Sequence, residues 1–111
     1  MISKVFNRDV RARRFSVHEI NVETLTGAKT LTVADAQIQS LDPGGAGRTI
    51  TLPPEAGSLG HMFMIANTAD AAEILTIQDD GGNTIVTPTQ NESCFVWCDG
   101  TGWHGLVGSE A

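Results

Sequence analysis

The sequence predicts an all-β fold, an antiparallel β-sandwich that follows an extended N-terminal arm. Short segments rich in Thr, Ile, Val and Leu alternate with clusters of Gly, Pro, Asn and Asp after residue 15, and no amphipathic helical period interrupts them. The chain of 111 residues is long enough for one core and too short for two. We therefore expect a basic arm over residues 1–15 and a single β domain over residues 16–111.

The predicted strands follow one another at short intervals, and the turns between them carry residues that suit tight reversals. Gly and Asn supply the positive φ angle that such turns need, and Pro supplies a fixed φ. Residues 79–83, DDGGN, are better explained as a hairpin turn than as a calcium loop, which would alternate carboxylates and close on a bidentate Glu. We expect a short helical piece within residues 3–14 and a single turn at 34–36. The predicted strands lie at 15–25, 29–33, 36–41, 48–52, 61–67, 73–78, 83–87, 91–98 and 102–107.

The charge of the chain, −6 in total, is divided unevenly. Residues 1–14 carry five Lys or Arg and one Asp, a balance of +4, whereas residues 15–111 carry two basic and twelve acidic residues, a balance of −10. A basic arm on an acidic body indicates that the arm meets a surface that would repel the body. The alternative is a solvated terminus with no partner.

The basic run RDVRARR at residues 8–14 would support salt-dependent binding to nucleic acid. The body is acidic, however, and carries no interleaved aromatic platform, so an extended nucleic acid would be repelled beyond residue 15. Apolar side chains among the arginines favour a protein partner, because they contact it hydrophobically while the guanidinium groups pair with carboxylates. The predicted binding residues are Lys4, Val5, Phe6, Arg8, Val10, Arg11, Arg13, Arg14 and Phe15.

Two segments, MFMIA at 62–66 and CFVWC at 94–98, are apolar on both faces of a strand. An antiparallel sheet in a small monomer usually leaves one face in water, so these segments need a second cover from another sheet, a neighbouring subunit or both. The charged fraction of 18% is also below the roughly 25% of an average domain. We expect a homo-oligomer, with Met62, Phe63, Met64, Phe95 and Trp97 packing between subunits or between sheets.

The sequence offers little chemistry. It contains no phosphate loop, HExxH or GxSxG motif, and His18, His61 and His104 are isolated from one another. Along a strand Cys94 and Cys98 would lie roughly 13 Å apart, too far for a disulfide, and their spacing does not suit zinc. We expect reduced, buried cysteines and no catalytic residue, cofactor or metal.

No run of about 18 apolar residues could span a bilayer, and the N-terminus has no apolar core of a secretory signal. We therefore expect no membrane partner, and synthesis in the cytoplasm.

Four stretches of residues 31–108 resemble a module common in the virion structural proteins of tailed phages. They are TITLPP at 49–54, GSLGHMFMIANT at 57–68, ILTIQDDGGNTI at 74–85 and FVWCDGTGWHGL at 95–106. The resemblance implies a trimeric β-sandwich or jelly-roll piece of a tail fibre, a head fibre or a capsid decoration protein.

Because the sequence contains little besides this module and a short arm, the resemblance favours a capsid decoration, or cement, protein. Such a protein is made in the host cytoplasm and sits as a homotrimer on the outer surface of the virion head, with its N-terminal arms on the major capsid protein. The alternative is a fibre module that binds a receptor or host glycan, for which Trp103 is the candidate exposed aromatic. A Trp in a strand after a turn usually packs in the core, and the chain has no Tyr. An enzyme acting on surface polysaccharide is a further rival and would need paired carboxylates in a cleft.

Overall fold

The computed structural model describes residues 19–109, which form β-strands and a single turn of 3₁₀ helix at Glu55–Gly57. The prediction of an all-β fold is confirmed. Each predicted strand overlaps an observed one, and the expected turn at 34–36 is present as a hydrogen bond from Asp35 N to Thr32 O at 3.0 Å. The helical piece expected within residues 3–14 lies outside the described residues. The strands are β1 Ile20–Thr24, β2 Lys29–Thr30, β3 Ile38–Asp42, β4 Arg48–Thr51, β5 Met62–Asn67, β6 Leu75–Gln78, β7 Thr84–Val86, β8 Glu92–Cys98 and β9 Trp103–Ser109.

The strands form two sheets, and the chain crosses from one sheet to the other after each strand from β1 to β5 and again after β7. The five-stranded sheet has the order β9-β8-β5-β3-β1, and the four-stranded sheet has the order β2-β4-β6-β7. Strands two apart in sequence therefore become parallel neighbours: β1 with β3, β3 with β5, β2 with β4, and β4 with β6. The last three strands reverse direction and pair antiparallel with β6, β5 and β8.

The predicted antiparallel pairing holds for three strand pairs and is wrong for the other four, which are parallel. Turn residues show where the chain reverses, but they do not show which sheet the next strand joins. The Gly27 turn, for example, does not close a hairpin, because β1 lies in one sheet and β2 in the other. The structure confirms only the coarser part of the predicted architecture, which is an all-β domain with two sheets around one core.

The core lies between the two sheets. Phe63, Ile65 and Val96 from the five-stranded sheet meet Ile50 and Ile77 from the four-stranded sheet, and all five side chains are fully buried. These residues alternate with outward-facing neighbours, as the period of a β-strand requires. The hydrophobic pattern of the sequence therefore determines which residues of a strand share a face.

Trp103 belongs to this core. It is 5% exposed, its ring stacks against Phe63 at 6.1 Å between centroids, and its Nε1 donates a hydrogen bond to Pro53 O at 2.9 Å. The indole therefore buries its apolar area and satisfies its one polar atom, the usual state of a buried Trp. The core placement expected for this residue is confirmed.

The cysteines are free and buried, as predicted. Burial raises the pKa of the Cys94 thiol to about 12, because the thiolate would lose its hydration in the core. Cys94 is therefore protonated at neutral pH and packs as a small apolar residue.

Replacing Gly44 with Ala should destabilise the fold. Gly44 follows β3 with a φ of +78°, and a Cβ atom there would clash with the backbone oxygen of Leu25. A positive φ costs a non-glycine residue about 1–2 kcal/mol, and the clash adds about 1–3 kcal/mol. We expect the free energy of unfolding in urea to fall by about 3 kcal/mol, from these two costs. Gly27→Ala, at an open position without positive φ, is the control and should change little. Equal effects of the two variants would contradict this account.

Candidate functional site

A continuous row of large apolar side chains crosses the outer face of the five-stranded sheet. The strand register pairs Ile20 with Ile38, Ile38 with Met64, Met64 with Phe95, and Phe95 with Leu106. Registered partners on neighbouring strands point to the same face of a sheet. One apolar residue from each of the five strands therefore contributes to the row.

The rows on either side extend this surface. Met62, Trp97 and His104 are registered on one side of the row, and Val22 lies beyond its other side on β1. The exposed fractions are high: 75% for Val22, 64% for Leu106, 55% for Ile20 and 54% for Met64. We call this surface the apolar face. Its members are Ile20, Val22, Ile38, Met62, Met64, Phe95, Trp97 and Leu106.

The outer face of the four-stranded sheet is polar by contrast. Its register aligns Thr30, Thr51, Gln78 and Thr84 in one row across all four strands, and Thr49 with Thr76 in the next. Such a face is stable in water, as expected for one side of a two-layer β fold. The two outer faces therefore differ in kind, and only the apolar face needs a further cover.

Four of the five residues predicted to pack between subunits or sheets lie on the apolar face: Met62, Met64, Phe95 and Trp97. The fifth, Phe63, is fully buried between the sheets. Neighbouring residues of a strand point to opposite faces, so Phe63 is an intersheet residue and does not belong to an interface between subunits. The predicted arm residues, Lys4 to Phe15, lie outside the described part of the chain.

The sequence did not identify Ile20, Val22, Ile38 and Leu106 as members of this face. Alternation in INV at 20–22 and in WHGL at 103–106 indicates exposed apolar positions, but it carries no information on which strands are neighbours. The parallel pairing of β1, β3 and β5 places Ile38 beside Met64 and Ile20 on the far side of Ile38. Only the register shows that separate apolar positions form one surface.

An aromatic stack and a short polar cap end the apolar face near β9. The rings of Phe95 and Trp97 lie 5.6 Å apart between centroids, and those of Trp97 and His104 lie 5.8 Å apart. His104 Nε2 lies 2.8 Å from Asp99 Oδ2. This hydrogen bond, with those from the backbone N–H groups of Thr101 and Gly102, holds the pKa of Asp99 well below its usual range.

The described hydrogen bonds of the His104–Asp99 pair include no hydroxyl on the imidazole ring. Nucleophilic catalysis needs a hydroxyl bonded to the imidazole, with the carboxylate on the other ring nitrogen. Here the only neighbouring hydroxyl described, Thr101 Oγ1, donates to Asp99 Oδ1 at 3.0 Å and therefore bonds the carboxylate. The arrangement closes the Asp99–Gly102 turn and supports the packing of Trp97.

Three carboxylates that are distant in sequence, those of Asp42, Asp70 and Glu73, gather with one oxygen each within 4.8 Å. Oxygen donors of this kind suit a hard cation. Asp42 Oδ1 already accepts a hydrogen bond from Gly44 N at 2.9 Å, and the Oε1 atom of Glu73 is buried without a hydrogen-bond partner. Acidic clusters are common on protein surfaces without an ion, so we assign this one no role.

The sequence matches no protein-family model, and no curated protein or solved structure is significantly similar to it. Across residues 19–109 the structure contains no helix with the length and apolarity needed to cross a bilayer. The function of the protein is therefore inferred from the surfaces described above.

Replacing His104 with Phe should raise the pKa of Asp99 toward its usual value, because the largest stabilising hydrogen bond to its carboxylate is lost while the ring against Trp97 is retained. In the wild type the lowered pKa means that ionised Asp99 stabilises the fold at pH values above its unfolded pKa of about 3.9. This contribution is lost as the pH falls through the folded pKa, and in the variant it is smaller and lost at higher pH.

A carbon-13 NMR titration of the side-chain carboxyl groups measures this shift directly. Asp79, whose pKa is lowered by hydrogen bonds from Asn83 in a different turn, is the internal control and should titrate as before. An unchanged Asp99 titration in His104→Phe would show that the 2.8 Å contact does not exist in solution.

Proposed function

We propose that this protein is a capsid decoration protein of a tailed phage, which assembles into a homotrimer and binds the outer surface of the head. The apolar face is the observation that carries the proposal, because it is the surface a second copy would cover. The resemblance to virion modules supplies the stoichiometry of three and the setting. The basic segment of residues 1–15 supplies the contact with the major capsid protein.

The energetics favour self-association through the apolar face. A large apolar side chain gains about 1.5–3 kcal/mol when it is moved completely from water, so a half-exposed one gains about 1 kcal/mol. In a trimer, Ile20, Val22, Met62, Met64 and Leu106 from the three copies then contribute about 15 kcal/mol in all, or about 5 kcal/mol for each of the three contacts. This is comparable to the lower end of an association cost of about 4–15 kcal/mol. The half-buried rings of Phe95 and Trp97 add to the favourable side.

The distribution of charge fits the same assembly. Residues 15–111 carry a balance of −10, so two copies repel each other unless their contact surface is uncharged. The five residues of the apolar row, from Ile20 to Leu106, have no charged member, and the carboxylate of Asp99 lies beyond the neighbouring row, bonded to His104 near the start of β9. An acidic body therefore offers one neutral surface to a copy of itself.

The mechanism is mechanical and requires no bond chemistry. A trimer carries three basic segments, each with a balance of +4 over residues 1–14. Linking three weak contacts in one rigid body raises the overall affinity by about 10²–10⁴ without any new contact. The trimer thereby ties neighbouring capsid subunits together and resists the outward pressure of the packaged genome.

The rival function, recognition of a host glycan, required an exposed aromatic platform near Trp103. Trp103 is buried and bonded to Pro53, and Trp97 is half-buried within the apolar face. The described aromatic side chains therefore do not favour this alternative.

Replacing Met64 with Asp should dissociate the trimer without unfolding the subunit. Met64 is 54% exposed at the centre of the apolar row, so a carboxylate there is tolerated in the monomer but would be buried without a partner in the assembly. Sedimentation equilibrium should give a trimer for the wild type and a monomer for the variant, with similar thermal unfolding of the subunit. Thr76→Asp, on the polar outer face, is the matched control and should remain trimeric. A monomeric wild type would refute the proposed assembly.

Deleting residues 1–14 should leave a folded trimer that no longer binds capsids. The deletion removes five basic residues and leaves every described strand intact. In co-sedimentation with purified capsids of the phage that encodes the chain, we expect the affinity to fall at least about 100-fold, the lower end of the gain from three linked contacts. Glutamine at Arg11, Arg13 and Arg14 in the full chain tests whether charge is responsible. Undiminished capsid binding by the truncated trimer would remove the role of the arm.

A further inference from the structure

An apolar groove of about 420 Å³ lies beside β2, built by residues other than those of the apolar face. Its lining includes Leu31, Val33, Pro53, Pro54 and Gly57. Leu31 and Pro53 are buried, whereas Val33 is 49% exposed. The groove therefore offers a partly open apolar site of a size that suits an aromatic side chain.

Two carboxylates flank this groove. Asp35 Oδ2 accepts hydrogen bonds from the backbone N at 2.7 Å and the Oγ1 at 3.2 Å of Thr32, a lining residue. Glu55 directly follows the lining residue Pro54 and opens the 3₁₀ turn. Within residues 19–109 neither carboxylate forms an ion pair. An occupant with apolar and basic side chains would satisfy both parts of the site.

The described chain begins close to the groove. Glu19 and Ile20 line a polar pocket of about 260 Å³ together with Ala34, Asp35 and Ala36, the residues that follow Val33 in sequence. Phe15 precedes Glu19 by four residues, which span at most about 14 Å of extended chain. The two residues before Phe15 are Arg13 and Arg14. The segment that enters β1 thus has the chemistry that the groove requires.

We propose that the groove binds the side chain of Phe15 from the same chain, with Arg13 and Arg14 beside Asp35 and Glu55. The ring leaves water in contact with Leu31, Val33 and the prolines, and the guanidinium groups pair with the carboxylates. The short connection to β1 holds Phe15 at a local concentration in the millimolar range, so a modest contact is sufficient.

This inference concerns a contact within one chain and does not depend on the proposed function. It changes that proposal at the root of the arm, because Arg13, Arg14 and Phe15 become its anchor on the subunit and no longer contact the shell. Residues Lys4 to Arg11 then leave each subunit from a defined place.

Nuclear Overhauser spectroscopy of the full chain, with labelled phenylalanine rings and Leu and Val methyl groups, tests the proposal. We expect cross-peaks from the Phe15 ring to the methyl groups of Leu31 and Val33. Phe15→Ser should abolish them and shift these methyl signals, whereas Phe6→Ser, the matched control in the same segment, should do neither. Absence of the cross-peaks, together with methyl signals that respond equally to the two variants, would overturn the proposal.

A variant of the groove gives an independent measurement. Gly57 has an ordinary φ and open space at its Cβ position, so Gly57→Leu should fill the groove without strain and remove the cross-peaks. Gly27→Leu, at another open glycine, should leave them unchanged. In a sample mixing chains with labelled Phe and chains with labelled methyl groups, the cross-peaks should be absent. Their presence would show that the groove takes the segment of a neighbouring copy and would overturn the same-chain assignment.

Discussion

A two-layer β fold has four sheet faces and can bury only two of them against each other. In this protein the two inner faces meet in a core built from Phe63, Ile65, Ile50 and Ile77, which leaves one outer face on each sheet. Threonine and glutamine cover the outer face of the four-stranded sheet, so that face is stable in water. On the outer face of the five-stranded sheet, by contrast, a row of apolar side chains crosses every strand. This difference in polarity between the two outer faces is the constraint on which the proposed assembly depends.

Two parts of the chain differ in charge and in the apolar side chains they present. The acidic body repels other acidic surfaces, including copies of itself, at all but its neutral face. The basic segment before β1 has the opposite sign and carries its own apolar side chains, Phe6 and Phe15 among them. In the proposed assembly, association through the apolar face would bring three basic segments together on one particle. Three weak contacts that act at once would then bind more tightly than any one of them.

Strand positions and the residues that share one face of a strand were predictable because both depend on local patterns. The alternation in HMFMIAN places Phe63 and Ile65 on one side of β5 and Met62 and Met64 on the other, whatever the neighbouring strands are. The same pattern does not show which side faces the opposite sheet. From the sequence, Phe63 therefore groups with the interface residues. Only the packing between the sheets separates it from Met62 and Met64.

By itself, then, the sequence determined an all-β chain, its turns, the reduced state of its cysteines and the division between a basic arm and an acidic body. These properties depend on composition and on contacts between residues close in sequence. The tertiary structure decided the parallel pairing of β1, β3 and β5, the row from Ile20 to Leu106, and the gathering of Leu31, Pro53 and Gly57 around one groove. Each of these joins residues far apart in sequence. Local hydrophobic alternation limits the register of a strand, but it carries no information on which strands are neighbours.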